Sequence, residues 1–304
     1  MKTSQCFVAA LLLVLPGMCV DKPVTFTLDN SVLLFSGAWR VEIISPRASD
    51  LIPLPEIPRG RSGPSALPSI CQYGTVISSA YPISADDDRK WKVSIAVGIF
   101  SQSEKRWKTF GGYNQVHVTS LSPDCSRVAF IADEGAIHHE SRAVFLLELG
   151  NGKITRLKEV EATWVSWSPD GKRLVIGTSE GNSPPKVELF DINSGEIREL
   201  ASGSFPTWSP DGNWIAYVDR SGRKIRLIHP DATSDHSVTE VKASDENKFG
   251  FAPVWSPDGA KLLLNFYSGG NLDVRDVLLL DLVTGKSTRK SHNGDPVFGW
   301  MRLE

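Results

Sequence analysis

Trp167-Ser168-Pro169-Asp170-Gly171 decides the fold, because the same five residues return as Trp208-Ser209-Pro210-Asp211-Gly212 and as Trp255-Ser256-Pro257-Asp258-Gly259. A degenerate copy, Leu121-Ser122-Pro123-Asp124-Cys125, precedes them, so the aspartates stand at 124, 170, 211 and 258, separated by 46, 41 and 47 residues. That interval is the length of one β-propeller blade, a small sheet that buries its faces only against copies of itself. Within the motif, Ser opens a turn, Pro fixes φ at the second corner, and Gly closes it before the chain runs back as a strand. The Trp just ahead is a large apolar plate suited to packing between neighbouring sheets. The motif is therefore architectural and says little about chemistry.

The copy at 167 serves as a template for the others. Strand A ends at Trp167, and strands B, C and D are predicted over 173–178, 186–191 and 196–200, with Asn193-Ser194-Gly195 as the hairpin turn between the last two. The same order is read over 214–219, 224–229 and 237–241, over 261–267, 276–281 and 286–290, and over 127–132, 143–149 and 153–157. Further forward, Leu67-Pro68-Ser69-Ile70-Cys71-Gln72-Tyr73-Gly74 aligns on 205–212 and opens a blade whose outer hairpin is 91–100 with 106–110. Segments 32–35, 39–44 and 50–55 resemble strands B, C and D of a first blade that lacks an A strand. Val297-Phe298-Gly299-Trp300 supplies it, with a Trp 45 residues after Trp255. The expected fold is thus an all-β, six-bladed β-propeller over 21–304, with blade one closed by the C-terminal strand so that the ring has no open edge.

A chain of 304 residues, 41% hydrophobic and 22% charged, can bury a sizeable core. Lys2, the apolar run 7–15 and Pro16-Gly17-Met18-Cys19 read as a signal peptide over 1–20. The run is too short to span a bilayer, so a periplasmic or secreted protein without membrane insertion after signal removal is expected. Removing the signal takes the formal charge from -2 to -3, a balance that argues against nucleic acid as a partner. A monomer is expected. Cys71 and Cys125 remain after cleavage, near the ends of strand A in neighbouring blades, and their pairing stays open. The sequence contains no Asn-x-Ser/Thr acceptor, which favours a bacterial periplasm.

Local motifs for catalysis are weak. Gly177-Thr178-Ser179-Glu180-Gly181 has the spacing of a hydrolase nucleophile, but a nucleophile elbow needs a helix after the strand, and Pro184-Pro185 and another strand follow. Asp86-Asp87-Asp88 lacks the spacing of a calcium loop, and adjacent His138 and His139 diverge in an extended chain. No catalytic set, metal or cofactor is expected. Topology filters better: A-to-B and C-to-D turns share one rim, while B-to-C and D-to-A loops share the other. The second rim should present Arg59, Arg61, Tyr113, Asn114, His117, His138, His139, Lys248, Phe249 and His292, an aromatic and basic mixture suited to a protein or peptide partner. The alternative is a propeller enzyme or carbohydrate-binding protein, with polar groups of several blades converging on the central mouth.

The Trp-Ser-Pro-Asp-Gly turns, with following strands such as Lys172-Arg173-Leu174-Val175-Ile176 and Val187-Glu188-Leu189-Phe190-Asp191, resemble the WD40-like PD40 repeat from about residue 115 to 300. That repeat builds the propellers of the periplasmic TolB family and those attached to prolyl oligopeptidases. The resemblance implies a six-bladed TolB-type propeller acting as a non-enzymatic binding platform of the cell envelope, where TolB contacts a peptidoglycan-associated lipoprotein. It implies no functional residue. The separate N-terminal domain of TolB has no counterpart before the first blade, so a stand-alone propeller is expected.

Overall fold

The computed structural model describes residues 31–37, 40–44, 69–70, 76–85, 91–100, 105–113, 115–134, 141–240, 248–267, 274–291 and 297–302. They form antiparallel strands, with no helix among the described residues. The first sheet holds β1 (Ser31–Gly37) and β2 (Arg40–Ile44), and the second holds β3 (Ser69–Ile70), β4 (Val76–Ala85), β5 (Trp91–Phe100) and β6 (Lys105–Tyr113). A third runs β7 (Val116–Leu121), β8 (Arg127–Glu134), β9 (Ser141–Glu148) and β10 (Ile154–Glu159). Seven strands follow in one ladder: β11 (Ala162–Trp167), β12 (Arg173–Thr178), β13 (Lys186–Asp191), β14 (Ile197–Trp208), β15 (Ile215–Asp219), β16 (Lys224–Ile228) and β17 (Asp235–Glu240). The fifth sheet sets β18 (Lys248–Phe249) and β19 (Val254–Trp255) end to end along one edge of β20 (Lys261–Tyr267), followed by β21 (Val274–Asp281) and β22 (Ser287–Ser291). The final strand, β23 (Val297–Arg302), returns to pair antiparallel with β1, Leu33 opposite Trp300. That is the seam closure expected from the sequence.

Middle strands are apolar on both faces because each sheet lies between two others. In β8, Val128, Phe130 and Ala132 pack in one cluster with Phe145 and Leu147, whereas Ala129 and Ile131 face Trp167, Leu174 and Ile176 of the next sheet. This is the two-residue period of a strand read twice over. The same layering joins Val175 and Leu189 to Trp208 and Tyr217, Val218 and Leu227 to Trp255 and Leu264, and Val254 and Leu263 to Val297. Arg127 lies 4.7 Å from the Trp167 ring and donates to the Gly171 carbonyl at 2.8 Å, while Arg173 lies 5.0 Å from Trp208. Each basic side chain thus covers the Trp plate of the following repeat.

The repeated turn is closed by its own side chains. Ser168 Oγ donates to Asp170 at 2.5 Å and accepts the Arg173 N–H at 2.9 Å, and Asp170 accepts the Lys172 N–H at 3.1 Å. Ser122, Ser209 and Ser256 do the same with Asp124, Asp211 and Asp258. Gly171, Gly212 and Gly259 take φ of 67°, 75° and 71°, which explains why Gly closes the motif. Cys125 holds the equivalent place at φ 58° and is disulfide-bonded, its partner lying outside the described residues.

Most strand bounds shift by one to three residues from the sequence reading, and the largest difference is at strand D of the 167 repeat. The reading ends strand D at 200, before the next A strand, but β14 runs unbroken to Trp208, pairing with β13 along its first half and with β15 along its second. Gly203 permits the passage: a Cβ there would come within 2.5 Å of both the Tyr217 ring and the Val218 carbonyl. Composition alone does not show that a Ser-Gly-Ser stretch is a strand crossing rather than a loop.

Candidate functional site

Six segments of the chain meet around one cavity of about 230 Å³. They contribute Ser69 from β3, Val118 to Ser120 from β7, Trp164 to Ser166 from β11, Thr207 and Trp208 from β14, Phe251 to Trp255 ending in β19, and Val297, Gly299 and Trp300 from β23. The inner strands are brought together by stacking of the sheets, and polar groups stitch one to the next. Leu121 N–H donates to Ser69 Oγ at 2.8 Å, Trp208 N–H to Ser166 Oγ at 3.4 Å, and the Thr207 hydroxyl to the Pro253 carbonyl at 2.9 Å. The repeat tryptophans do likewise: Trp167 Nε1 donates to the Ser120 carbonyl at 2.9 Å and Trp255 Nε1 to that of Thr207 at 3.3 Å. Trp164, Trp208 and Trp300 keep buried indole N–H groups with no acceptor.

Where the inner strands begin, their ladders carry irregularities at one level. His117 is an extra residue between Val116 and Val118, Thr163 one between Ala162 and Trp164, and the β14 register slips between Ser204 and Thr207. Bulges of this kind re-aim side chains beside functional surfaces. His117 Nε2 thereby reaches the buried Asp133 carboxylate at 2.7 Å, with Arg142 Nε 3.5 Å from the same oxygen. Phe205 stands at φ 55° and meets Trp164 edge-on, ring centres 5.7 Å apart. An aromatic residue held left-handed before a proline is strained, and the surrounding packing must hold it there.

The opposite rim has a different electrostatic character. Burial alone would raise Asp124, Asp170 and Asp211, but their Ser hydroxyl and backbone N–H bonds outweigh it and hold all three below the ordinary 3.8. At Asp258 the Ser256 hydroxyl is the largest influence and acts in the same direction. Asp231, in the turn after β16, is lowered to about 2 by the Thr233 hydroxyl and amide, with His229 assisting.

Of the residues expected on the binding rim, Arg59, Arg61, Asn114, His138, His139 and His292 lie outside the described residues, as do Asp86, Asp87 and Asp88. The four that are described sit in strands rather than loops. Tyr113 ends β6 and packs on Phe130 and Phe145 at 5.2 and 5.6 Å. His117 is committed to Asp133. Phe249 is 4% exposed within the core, and only Lys248 beside it is open to solvent. Ser179 leads from β12 towards β13, strand to strand, and its N–H donates to the Glu161 carbonyl at 2.9 Å. Sequence reasoning missed Trp164, Ser166, Thr207 and Phe251 of the cavity wall. Their signal was positional, since they fall one to four residues before each repeat Trp.

No family model matches the chain. An uncharacterized protein of Agrobacterium fabrum is 29% identical over 211 residues, 59% of this chain and 69% of that protein. The Tol-Pal system protein TolB of Alcanivorax borkumensis is 40% identical over 94 residues, which span 29% of this chain and 21% of TolB. Among solved structures, TolB from Acinetobacter baumannii superposes with a TM-score of 0.61 at 16% identity, covering 90% of this chain and 66% of that one. The chain thus spans less than two thirds of either TolB. With its antiparallel sheets, repeated Asp-Gly turns and a cavity on the inner strands, the chain shares the fold of the TolB-type β-propellers.

Proposed function

We propose that the chain is an exported, six-bladed propeller of the bacterial periplasm that serves as a non-enzymatic platform for a protein or peptide of the cell envelope. In this reading the seven-stranded ladder counts as two blades sharing β14, and the sheet of β1, β2 and β23 is blade one. The partner docks on the rim where the inner strands begin. The observation that carries the reading is the recurrence of bulges at that rim, against the self-satisfied turns of the other. Likeness to TolB supports the compartment and the class of partner. Since Tyr113, His117 and Phe249 are engaged in packing, the contacts among the described residues are the exposed Lys248 and Arg220, and the reading keeps Arg59, Arg61, Asn114, His138, His139 and His292 as proposed contacts from the sequence alone.

The test measures binding of the purified chain to a peptidoglycan-associated lipoprotein by calorimetry. Charge reversal at Lys248 and Arg220 should weaken it at least tenfold, about 1.4 kcal/mol. Reversal at Lys153 and Lys286 on the other rim should leave it unchanged. Loss of binding from the second pair alone assigns the wrong face, and absence of binding by the unaltered chain removes this partner.

A further inference from the structure

The cavity wall has its own chemistry, independent of the rim reading. Among its described residues none is ionisable, and hydroxyls alternate with aromatic rings. A hydroxyl holds one donor and two acceptor sites, so the bonds above leave definite capacity. Ser69 and Ser166 are acceptors in theirs and keep an O–H to give, whereas Thr207 is a donor in its bond and keeps lone pairs. Three indole N–H groups of the same wall, on Trp164, Trp208 and Trp300, are buried without an acceptor, and Trp208 is only 6% exposed. These donors are closed off from solvent and so add nothing to the surface that the cavity offers. The Trp164 and Phe251 rings are partly open and supply apolar faces.

We infer that the cavity binds one neutral sugar ring. A pyranose offers an apolar C–H face to stack on an aromatic ring, and a rim of hydroxyls that both donate and accept. That rim matches Ser69, Ser166 and Thr207. Charged sugars are disfavoured, because the wall described holds no counter-ion to offset desolvation of a carboxylate. The volume of about 230 Å³ is small beside pockets for drug-sized ligands, which suits a single ring rather than an oligosaccharide.

Tryptophan emission of the full chain, followed during titration, tests this. Methyl β-glucoside and N-acetylglucosamine are the neutral probes, glucuronate is the charged probe, and tri-alanine amide represents a peptide. At least one neutral sugar should give a saturable change with Kd below about 10 mM, and glucuronate should bind at least tenfold more weakly. Trp164→Ala, which removes an aromatic face, and Thr207→Val should each weaken the sugar about tenfold. Melting temperatures show whether each variant is folded, and Ser166→Ala replaces either one that is not. Failure of both sugars to saturate, equal binding of glucuronate, preference for the peptide, or wild-type affinity in the folded variants each overturns the proposal. None of these outcomes bears on lipoprotein binding at the rim, so the two readings fail separately.

Discussion

The two rims solve the same problem, turning a strand back on itself, in opposite ways. On the Asp-Gly rim the turn is closed by local bonds: Ser bonds Asp, Asp bonds a following amide, and Gly supplies a positive φ. On the other rim the inner strands bulge, Phe205 is held in a strained conformation, and His117 is turned towards a buried carboxylate from β8. These turns recur nearly unchanged because the bonds that close them are made by their own Ser, Asp and amide groups. The bulged rim differs from sheet to sheet because each irregularity is held by contacts particular to it, and diversity of this kind is where recognition is built.

The strongest way to break the contrast is at Gly203, where space rather than φ is the constraint. Gly203→Ala drives a methyl into the Tyr217 ring and the Val218 carbonyl, and should cost about 3 kcal/mol or prevent folding, seen in urea denaturation. Gly212→Ala, on the other rim, meets nothing closer than 3.7 Å and suffers only its φ of 75°, so about 1 kcal/mol is expected. Equal costs would erase the distinction.

Next in size is His117→Ala, which leaves Asp133 buried with Arg142 as its charged partner. Loss of about 2 kcal/mol is expected, less than the roughly 3 to 5 kcal/mol of a fully buried broken pair, because Arg142 remains. Adding Asp133→Ala should recover part of that loss; a double variant no better than additive would show that the pair is not coupled.

Ser209→Ala in the turn removes a donor to Asp211 and an acceptor for the Trp214 N–H, and should cost about 1 kcal/mol by thermal melting. The same turns predict acid sensitivity. Asp124, Asp170, Asp211 and Asp258 are all lowered from 3.8 on folding, so their stabilisation is fully present above that value and fades as pH falls through it towards the folded values. Melting temperature should therefore decline below about pH 4, and Asp211→Asn should flatten the decline. The smallest effect belongs to the exposed set. Reversing Lys153 and Lys286 should change stability by less than about 0.5 kcal/mol.

How much of this was legible beforehand can be judged residue by residue. Ser168, Pro169, Asp170 and Gly171 announced their turn because its bonds are local, and Val175 and Ile176 announced a strand buried on both faces because burial follows a period of two. The return of β23 to β1 was readable because a strand lacking at one end of the repeat series was present at the other. Tyr113, His117 and Phe249 were misplaced in loops because polarity and aromaticity do not reveal packing partners distant in the chain.

The sequence by itself determined the all-β repeat, its turn chemistry and its seam, since each depends on residues a few positions apart or on a regular interval. Tertiary structure alone decided which side chains meet. Ser69, Ser166 and Thr207 share a cavity wall, and His117 finds Asp133, because six inner strands converge in space. No local periodicity encodes the direction in which a bulged or channel-facing residue points.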